Sequence, residues 1–467
     1  MPMRRAAALA AVLAACTATA SAQDSAPPTL TLREAVDLAL RQNERIHAAV
    51  DAIEEARLAR RAAQAAFRPA FTPRILGALG NADGLSSQSY GFDLTQRFAT
   101  GTEVQASVGT LSSRNQLGSF YYSDTTFSIT QPILGRGPDA ARRNVESAER
   151  SIDTAVDAYG AARRAIAIEV AAAFYAIVAQ RQMVDVAAKA VERSAHLLAV
   201  SEAKLGIGKV SQLDVLRARQ LARAAESHLL DARAVAEDVG DELRLLTGMT
   251  SRDLFVIRSD IPTPVETMVS EEAVAAARER SAVVHRARQA LAAAEAGARA
   301  AQKPALPRVD FKLALTRRET GDTLRTSLGL NGFRLVPFLA VSMPVDPGAG
   351  AAADTAALDV ARKQRQLRAA EMRAEIDVRR AIRNQQRLLH SLASADDSVA
   401  FAASQVDVAR VRFERGLSGN LDLVSAEADL LAAQSRRSSI AAALAVATLH
   451  VKAAMGTLNL AEEFEER

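Results

Sequence analysis

Apolar residues recur every seven positions along two long stretches of this chain. The first set is Val170, Ile177, Val184, Val191, Leu198 and Leu205, and the second, 208 positions later, is Val378, Gln385, Leu392, Val399, Val406 and Phe413. A seven-residue repeat sustained over this length is typical of coiled-coil helices. An ordinary helical bundle gives similar patterns. Residues 161–205 as one helix would be about 68 Å long, however, which is rare in such bundles.

Each stretch is followed by a glycine-containing turn and a further heptad set. After the first turn the set is Val215, Ala222, Leu229, Ala236 and Leu243, and after the second it is Leu423, Leu430, Arg437, Leu444 and Val451. Glycine permits the left-handed backbone that closes a helix, and serine or asparagine can cap the helix that follows. The pattern therefore predicts two long helical hairpins.

Between an opening helix and the first hairpin, the hydrophobic period changes to two. Pro69 and Pro73 end the helix, and residues 90–95, 104–108 and 125–130 then alternate between apolar and polar. The second half of the chain alternates at residues 308–313 and 338–343. This pattern predicts antiparallel strands with two different faces, either in a soluble sheet or in the wall of an outer-membrane barrel.

The chain contains an internal repeat. Glu34-Ala35-Val36 recurs as Glu272-Ala273-Val274, a shift of 238 positions that also relates His47 to His285 and Pro69 to Pro307. Further along, a shift of 208 positions relates Gly208 to Gly416, Leu213-Asp214 to Leu421-Asp422 and Gly248 to Gly456. The 30-residue difference falls in the extended segment, and Pro262 and Pro264 mark the join. We predict a first repeat at residues 23–260 and a second at residues 261–467.

Residues 1–22 have the pattern of a secretory signal peptide. A basic start is followed by an apolar run from Ala6 to Ala15 and by Ala20-Ser21-Ala22. Cys16, the only cysteine, lies in a lipobox-like Leu13-Ala14-Ala15-Cys16 and is a candidate lipidation site; the alternative is cleavage after Ala22. No later window of about 20 residues is free of charge, so we expect any membrane span to consist of strands.

Composition and charge favour no enzymatic or nucleic-acid-binding function. Hydrophobic residues reach 49% but aromatic residues only 4%, which suits closely packed helices. Without residues 1–22, 56 Lys and Arg face 54 Asp and Glu, which is no footprint for nucleic acid. The six His are scattered, so we expect no metal or cofactor, and His47 and His285 are expected to pack equivalently. Residues 135–139 lack the lysine and spacing of a phosphate loop.

Several segments, in this order, resemble the outer-membrane efflux protein family, of which TolC is the familiar member. The opening helix at residues 30–43, the strand entry at 306–311, the strand-to-helix corners at 130–134 and 342–345, and the helix end at 452–458 carry the resemblance. It extends from about Leu30 to Leu460 and is duplicated like the repeat itself.

The resemblance implies a mainly α fold with β: long coiled-coil hairpins forming a periplasmic tunnel, plus four strands per protomer in a trimeric 12-stranded outer-membrane β-barrel. Four tilted strands cannot close, whereas twelve leave no edge exposed to lipid. Residues 82–120 hold one alternating stretch more than a two-stranded hairpin needs. That stretch could be an external loop, a barrel extension or a soluble hairpin. Tyr90, Phe120, Tyr121 and Tyr122 are the candidates for an aromatic girdle.

The resemblance also implies where function lies. The hairpin turns would form the periplasmic tip, which docks a periplasmic adaptor and holds the aperture shut; otherwise they are simply tight hairpins. The predicted docking and gate residues are Gly208, Lys209, Val210, Ser211, Leu213, Asp214, Val215, Gly416, Leu417, Ser418, Asn420, Leu421, Asp422 and Leu423. Asp214 and Asp422 match gate carboxylates, whereas Ser418 stands where some members carry a gate arginine.

The function implied is the exit duct of a tripartite efflux pump or type I secretion system, located in the outer membrane of a Gram-negative bacterium and extending into the periplasm. Its expected partners are two further copies of itself, a periplasmic adaptor, an inner-membrane transporter and outer-membrane lipid. The alternative is a periplasmic coiled-coil adaptor or scaffold without a pore. An adaptor would usually have one hairpin, whereas this chain has two complete repeats.

Overall fold

The structure of the chain is a computed structural model. It describes residues 29–77, 86–115, 118–134, 140–250, 255–257, 261–262, 270–301, 308–329, 331–342, 349–415, 417–418 and 420–463. The signal peptide at residues 1–22, Cys16, residues 135–139 and Gly416 lie outside these ranges.

The helices and strands follow one another in the order that the sequence pattern predicts. They are α1 (Leu32–Gln42), α2 (Glu44–Ala65), β1 (Ala70–Gly77), β2 (Ser86–Arg97), β3 (Glu103–Asn115), β4 (Gly118–Leu134), α3 (Ala140–Gly206), α4 (Gln212–Thr247), α5 (Ser270–Arg280), α6 (Ala282–Ala301), β5 (Arg308–Gly321), α7 (Leu324–Ser327), β6 (Arg334–Ser342), α8 (Ala349–Glu414), α9 (Asn420–Met455) and α10 (Leu460–Glu463). With 67 residues, α3 is about 100 Å long.

The helices of the two halves correspond at the shifts found in the sequence. Helix α1 begins at Leu32 and α5 at Ser270, a shift of 238, whereas α4 begins at Gln212 and α9 at Asn420, a shift of 208. The two-repeat, mainly helical fold is therefore confirmed. The bounds 23–260 and 261–467 for the repeats stay predictions.

Tight contacts recur at equivalent places in the two repeats. Gly248 ends α4 with φ +73°, and a Cβ there would lie 2.8 Å from the Cβ of Gln42 at the end of α1. Gly456, also with φ +73°, lies so close to α5 that a Cβ would be 2.7 Å from the carbonyl oxygen of Arg280. Both positions need glycine for the same two reasons, the left-handed backbone and the lack of space.

The core lies mainly along α3 and α8, and most heptad residues contribute to it. Val170, Ile177, Val378, Phe413 and Leu444 are buried. The polar heptad residue Gln385 is also buried, and its amide donates a hydrogen bond of 3.1 Å to Thr448 Oγ1. Because its polar group is paired, the interruption costs little stability.

The expectation that His47 and His285 pack equivalently inside the fold is wrong for the single protomer. Both side chains are exposed, and the ring of His285 hydrogen-bonds to Gln289 at 3.0 Å. The residues one position earlier, Ile46 and Val284, are the ones that point inward. On a helix, adjacent positions face about 100° apart, so only one of each pair can face the core.

All six strands form one antiparallel sheet in the order β1-β2-β3-β4-β5-β6. In the part of the chain that the structure describes, the sheet therefore contains two strands more than the four per protomer that the family resemblance assigns to the barrel. The extra alternating stretch forms a hairpin, β2–β3, inside the same sheet. A short turn closes it, in which Phe98 N donates to Thr102 O at 2.9 Å and Gly101 adopts φ +88°.

Among the described residues, one helix is long and apolar enough, by length and composition alone, to cross a membrane. It is Leu421–Met455, essentially α9, and it meets this criterion although no window of about 20 residues in it is free of charge. In the structure, α9 packs along α8 and α3 and buries Leu423, Leu430, Leu444 and Val451. A core helix of a helical bundle can be equally long and apolar. Because α9 packs against α8 and α3, it is a helix of the bundle.

Candidate functional site

The first hairpin turn is held by backbone hydrogen bonds that require a left-handed residue. Gly208 has φ +70°, its N–H donates to Leu205 O at 2.9 Å, and Lys209 N–H donates to Lys204 O at 2.9 Å. These are the two bonds of a Schellman helix end. In the second turn, Leu417 N–H donates to Arg412 O at 2.8 Å, the equivalent bond after a shift of 208.

Ser211 and Asp214 cap the helix that leaves the first turn. Asp214 N donates to Ser211 Oγ at 3.1 Å, while Ser211 N and Oγ donate to the Asp214 carboxylate at 3.1 and 2.7 Å. This capping box satisfies backbone groups that the first turn of a helix leaves unpaired. Asp214 is thus engaged locally, whereas Asp422, its repeat equivalent, has an exposed position in the first turn of α9.

The ends of the two hairpins lie side by side. Lys204, near the end of α3, donates from Nζ to the carbonyl oxygen of Phe413 at 2.8 Å, and the same nitrogen lies 4.0 Å from the centroid of the Phe413 ring. The contact combines a charge-assisted hydrogen bond at a helix C-terminus with a cation–π interaction. It joins the last turn of α3 to the last turn of α8.

The predicted tip residues divide into a buried and an exposed group. Val215 and Leu423 are buried, and Val210 is half-buried against the hydrophobic cluster that contains Leu423. Three of the predicted apolar residues are more than half exposed, namely Leu213, Leu417 and Leu421, and so is the neighbouring Ile207. Lys209 and Ser211 are exposed as well, while the buried Ser418 Oγ has no hydrogen-bond partner among the described residues. The side chain of Asn420 lies outside the described part.

An ion-pair cluster just behind the tip was not predicted from the sequence. Glu427 on α9 lies 2.6 Å from Arg193 on α3 and 3.8 Å from Arg410 on α8. The shift of 208 relates Glu427 to Arg219 and Arg410 to Glu202, which themselves form a pair of 3.0 Å. The acidic and basic residues of this pair thus change places between the two repeats. This charge exchange was the sequence signal from which the ion pair could have been predicted.

A cavity of about 800 Å³ lies between the two hairpins, and Arg193, Arg410 and Glu427 of this cluster form part of its lining. Its lining combines the apolar side chains of Leu197, Val200 and Leu221 with the polar side chains of His196 and His228. Helices α3, α4, α8 and α9 all contribute to it. Each protomer therefore offers an elongated hollow next to the exposed tip.

The sheet has one apolar and one polar face. The apolar face carries Phe71, Ile75, Tyr90, Phe92, Leu94, Val104, Val108, Phe127, Ile129, Phe311, Leu313, Leu315, Leu335, Leu339 and Val341. Many of these side chains are strongly exposed, up to 78% for Ile75. Such a band of outward apolar residues is what the lipid-facing side of a membrane barrel requires.

The opposite face carries charged and hydroxyl-bearing residues. Cross-strand ion pairs join Arg74 to Asp93 at 2.8 Å and Arg318 to Asp124 at 3.0 Å. Of the predicted girdle residues, Tyr90 and Tyr121 lie on the apolar face, whereas Phe120 and Tyr122 lie on the polar one. Alternation of this kind places the polar side towards a water-filled lumen.

The loop between β5 and β6 covers one end of the apolar face. Ser123 Oγ lies 2.8 Å from Ser327 Oγ of α7, and the buried Arg317 donates to Ser327 O and Asn331 O at 2.9 and 2.6 Å. This is the end of the sheet remote from the long helices. The buried polar contacts mark the boundary at which the apolar band stops.

A sheet of this kind on long paired helices defines a membrane-anchored tunnel protein rather than an enzyme. The sequence matches the family described as "Outer membrane efflux protein" over residues 35–249 and 273–457. The chain belongs to this family. It is an outer-membrane efflux channel that extends into the periplasm. Channels of this kind are trimeric and function with an adaptor and an inner-membrane transporter.

Solved structures show the same fold at low sequence identity. The chain is similar to the outer membrane protein VceC from Vibrio cholerae, with 17% identity and a TM-score of 0.69 over 91% of this chain and 96% of that one. It is also similar to the outer-membrane channel OprN, with 18% identity and a TM-score of 0.70 over 91% and 90% of the two chains. The Campylobacter jejuni CmeC channel gives 15% and 0.67 over 92% and 88%. No curated protein sequence matches the chain.

Proposed function

We propose that this chain is one protomer of a homotrimeric exit duct. The duct passively conducts molecules that an inner-membrane transporter delivers through a periplasmic adaptor, in a tripartite efflux pump or a type I secretion system. The observation that supports this most is the combination, in one chain, of a two-faced sheet and two long hairpins whose ends meet.

The sheet argues against the alternative of a soluble periplasmic scaffold. Its apolar face is exposed across all six strands, and monomeric soluble proteins rarely leave an apolar patch of this extent uncovered. Its two outer strands, β1 and β6, also have an unpaired edge in the single protomer. In an outer membrane, the apolar face would contact lipid, and the edge strands would form hydrogen bonds with neighbouring copies.

We further propose that the tip docks the adaptor and gates the duct. The docking surface comprises the turns at residues 208–215 and 416–423, with Leu213, Leu417 and Leu421 as exposed apolar contacts. Three copies of Asp422 would form an acidic ring, which attracts cations in a narrow aperture. The cavity between the hairpins offers a surface that continues from the tip.

Three measurements test this function: outer-membrane fractionation, conductance of the purified protein, and cross-linking in cells. We expect a heat-modifiable trimer in outer-membrane fractions, which raises the conductance of a planar bilayer. In cells, cysteines in place of the exposed Lys209 and Leu417 should cross-link to an adaptor. A soluble monomer would contradict the proposal, and so would a trimer that conducts no ions even with its tips opened by mutation.

A further inference from the structure

The two edge strands of the sheet are suited to pair with each other in neighbouring copies. The sheet has an even number of strands, and all neighbours are antiparallel. Strand β1 of one copy is therefore antiparallel to β6 of the next, as a closed meander requires. A membrane-spanning sheet must pair both edges, because lipid offers no hydrogen-bond partners.

We infer that all six strands enter the membrane, so that three copies close into an eighteen-stranded barrel with a β1–β6 seam between copies. The inference rests on the proposed trimer. It adds the number of strands in the barrel and the pairing of β1 with β6 between neighbouring copies. It contrasts with a barrel of twelve strands, in which β1 and β2 of each copy would lie outside the wall.

Strands β1 and β2 have the same two faces as the rest of the sheet. Phe71 and Ile75 on β1 are 63% and 78% exposed and continue the apolar face, together with Phe92 and Leu94 on β2. On the other face, Arg74 pairs with Asp93. If β1 and β2 were not part of the barrel wall, this apolar surface would face water. As part of the wall, it faces lipid.

Strands β1 and β6 are displaced relative to each other along the strand direction, and the displacement has the size that a barrel of tilted strands requires. Following the paired residues across the sheet, Ala70 lies on the row of Thr95, Gln105, Ser128, Ala314 and Val336. From this row, β1 runs away from the long helices, whereas β6 runs towards them as far as Ser342. A shift of six rows brings residues 70–77 opposite residues 342–335.

This shift also preserves the two faces. Phe71 would lie opposite Val341 on the lipid side, and Thr72 opposite Ala340 on the lumen side. Because side chains alternate along a strand, only an even shift can do this. Because each copy contributes six strands and a shift of six rows, the shear number of the whole barrel equals its strand number. A barrel with this ratio has a strand tilt of about 36°. Membrane barrels have tilts of about 35–45°.

The inferred barrel is wider than the family resemblance implied. At a similar tilt, barrel diameter grows roughly in proportion to strand number, so the mouth would be about 1.5 times as wide as a twelve-stranded one. Eighteen strands fall in the range in which membrane barrels hold an open aqueous channel. The ion pairs of the polar face would then line this channel.

Cysteine cross-linking across the seam tests the inference. In a Cys16→Ser background, we would combine Thr72→Cys with Ala340→Cys, and separately Leu76→Cys with Val336→Cys. Within one chain these positions lie on opposite edges of the sheet, so a short bis-maleimide can link them only between copies. We expect covalent dimers and trimers on denaturing gels after treatment of membranes.

The matched control combines Ser107→Cys with Phe338→Cys. In an eighteen-stranded barrel these residues are three strands apart in either direction and do not link. In a twelve-stranded barrel built from β3 to β6, a shift of four rows would place them opposite each other at the seam. An intact trimer in which the β1–β6 pairs fail to link overturns the inference but leaves the exit duct standing. Absence of a trimer in native mass measurements overturns the proposed duct itself.

Discussion

Arg193 on α3 lies 2.6 Å from Glu427 on α9 and joins the two repeats just behind the tip. Only 12% of the Glu427 side chain is exposed. We predict that Glu427→Gln destabilises the tip region by about 1–3 kcal/mol, because it leaves the partly buried Arg193 without its carboxylate, whereas Arg410 keeps Asp407 at 3.7 Å. Unfolding of the purified trimer, followed by thermal melting, measures the effect, and bilayer recordings measure any increase in closed-state leak.

The control for this change is Glu202→Gln. Glu202 pairs with Arg219 at the repeat-equivalent position, but both side chains are about half exposed. An exposed pair contributes about 0–1 kcal/mol, so this variant should melt and leak like the wild type. Equal effects of the two substitutions would show that the cluster behind the tip has no special role.

Gly208→Val should impair export without preventing trimer formation. The left-handed backbone at Gly208 would be strained by roughly 1–2 kcal/mol with a β-branched residue. The long helices carry most of the buried surface, so the fold should persist while the tip is displaced. Drug susceptibility of cells and cross-linking at Lys209 and Leu417 measure the outcome. Gly206→Ala, at a helical position with open space for a Cβ, is the control.

Asp214→Ala and Asp422→Ala should have different consequences. Loss of the Asp214 carboxylate removes half of the capping box and costs about 0.5–2 kcal/mol at the start of α4. Loss of the exposed Asp422 carboxylate should mainly lower the preference of the channel for cations. Reversal potentials under a salt gradient separate the two effects. If Asp214→Ala alone abolishes cation preference, the capping carboxylate is also the gate carboxylate.

Tyr175 should make the helical body sensitive to high pH. Burial, with a smaller contribution from the charge of Glu463, raises the pKa of its phenol from 10.0 to about 12. Its contribution to stability is present below pH 10 and is lost as the pH rises through 12, since the unfolded chain ionises first. The loss should be about 2 kcal/mol. Melting temperatures between pH 9 and 12 should fall more steeply in the wild type than in Tyr175→Phe.

The sequence predicted the helices and their repeat well because both depend on local periodicity. The shifts of 238 and 208, found from a few residues such as Glu34 and Gly208, also relate the helix ends. The sheet has two strands more than the four that the resemblance implied for the barrel, and the alternation in residues 82–120 was the sequence signal for them. The structure places that alternation in β2 and β3.

At the tip, one assignment could have been made from sequence and another could not. Ser211-Gln212-Leu213-Asp214 has the spacing of a capping box, which indicated a local partner for Asp214. The pairing of Arg193 with Glu427 depends on how the two hairpins pack against each other. Residues 234 positions apart give no local signal of such a contact.

The constant shift of 208 between the two hairpins limits how the tunnel can change in evolution. Helices α3 and α8 end at Gly206 and Glu414, and α4 and α9 both contain 36 residues. An insertion in one hairpin alone would raise its tip above the other and break the contact of Lys204 with Phe413. Length can therefore change only in matched pairs and in whole heptads, that is, in steps of about 10 Å. Such a duct fits periplasms of different depth by discrete increments.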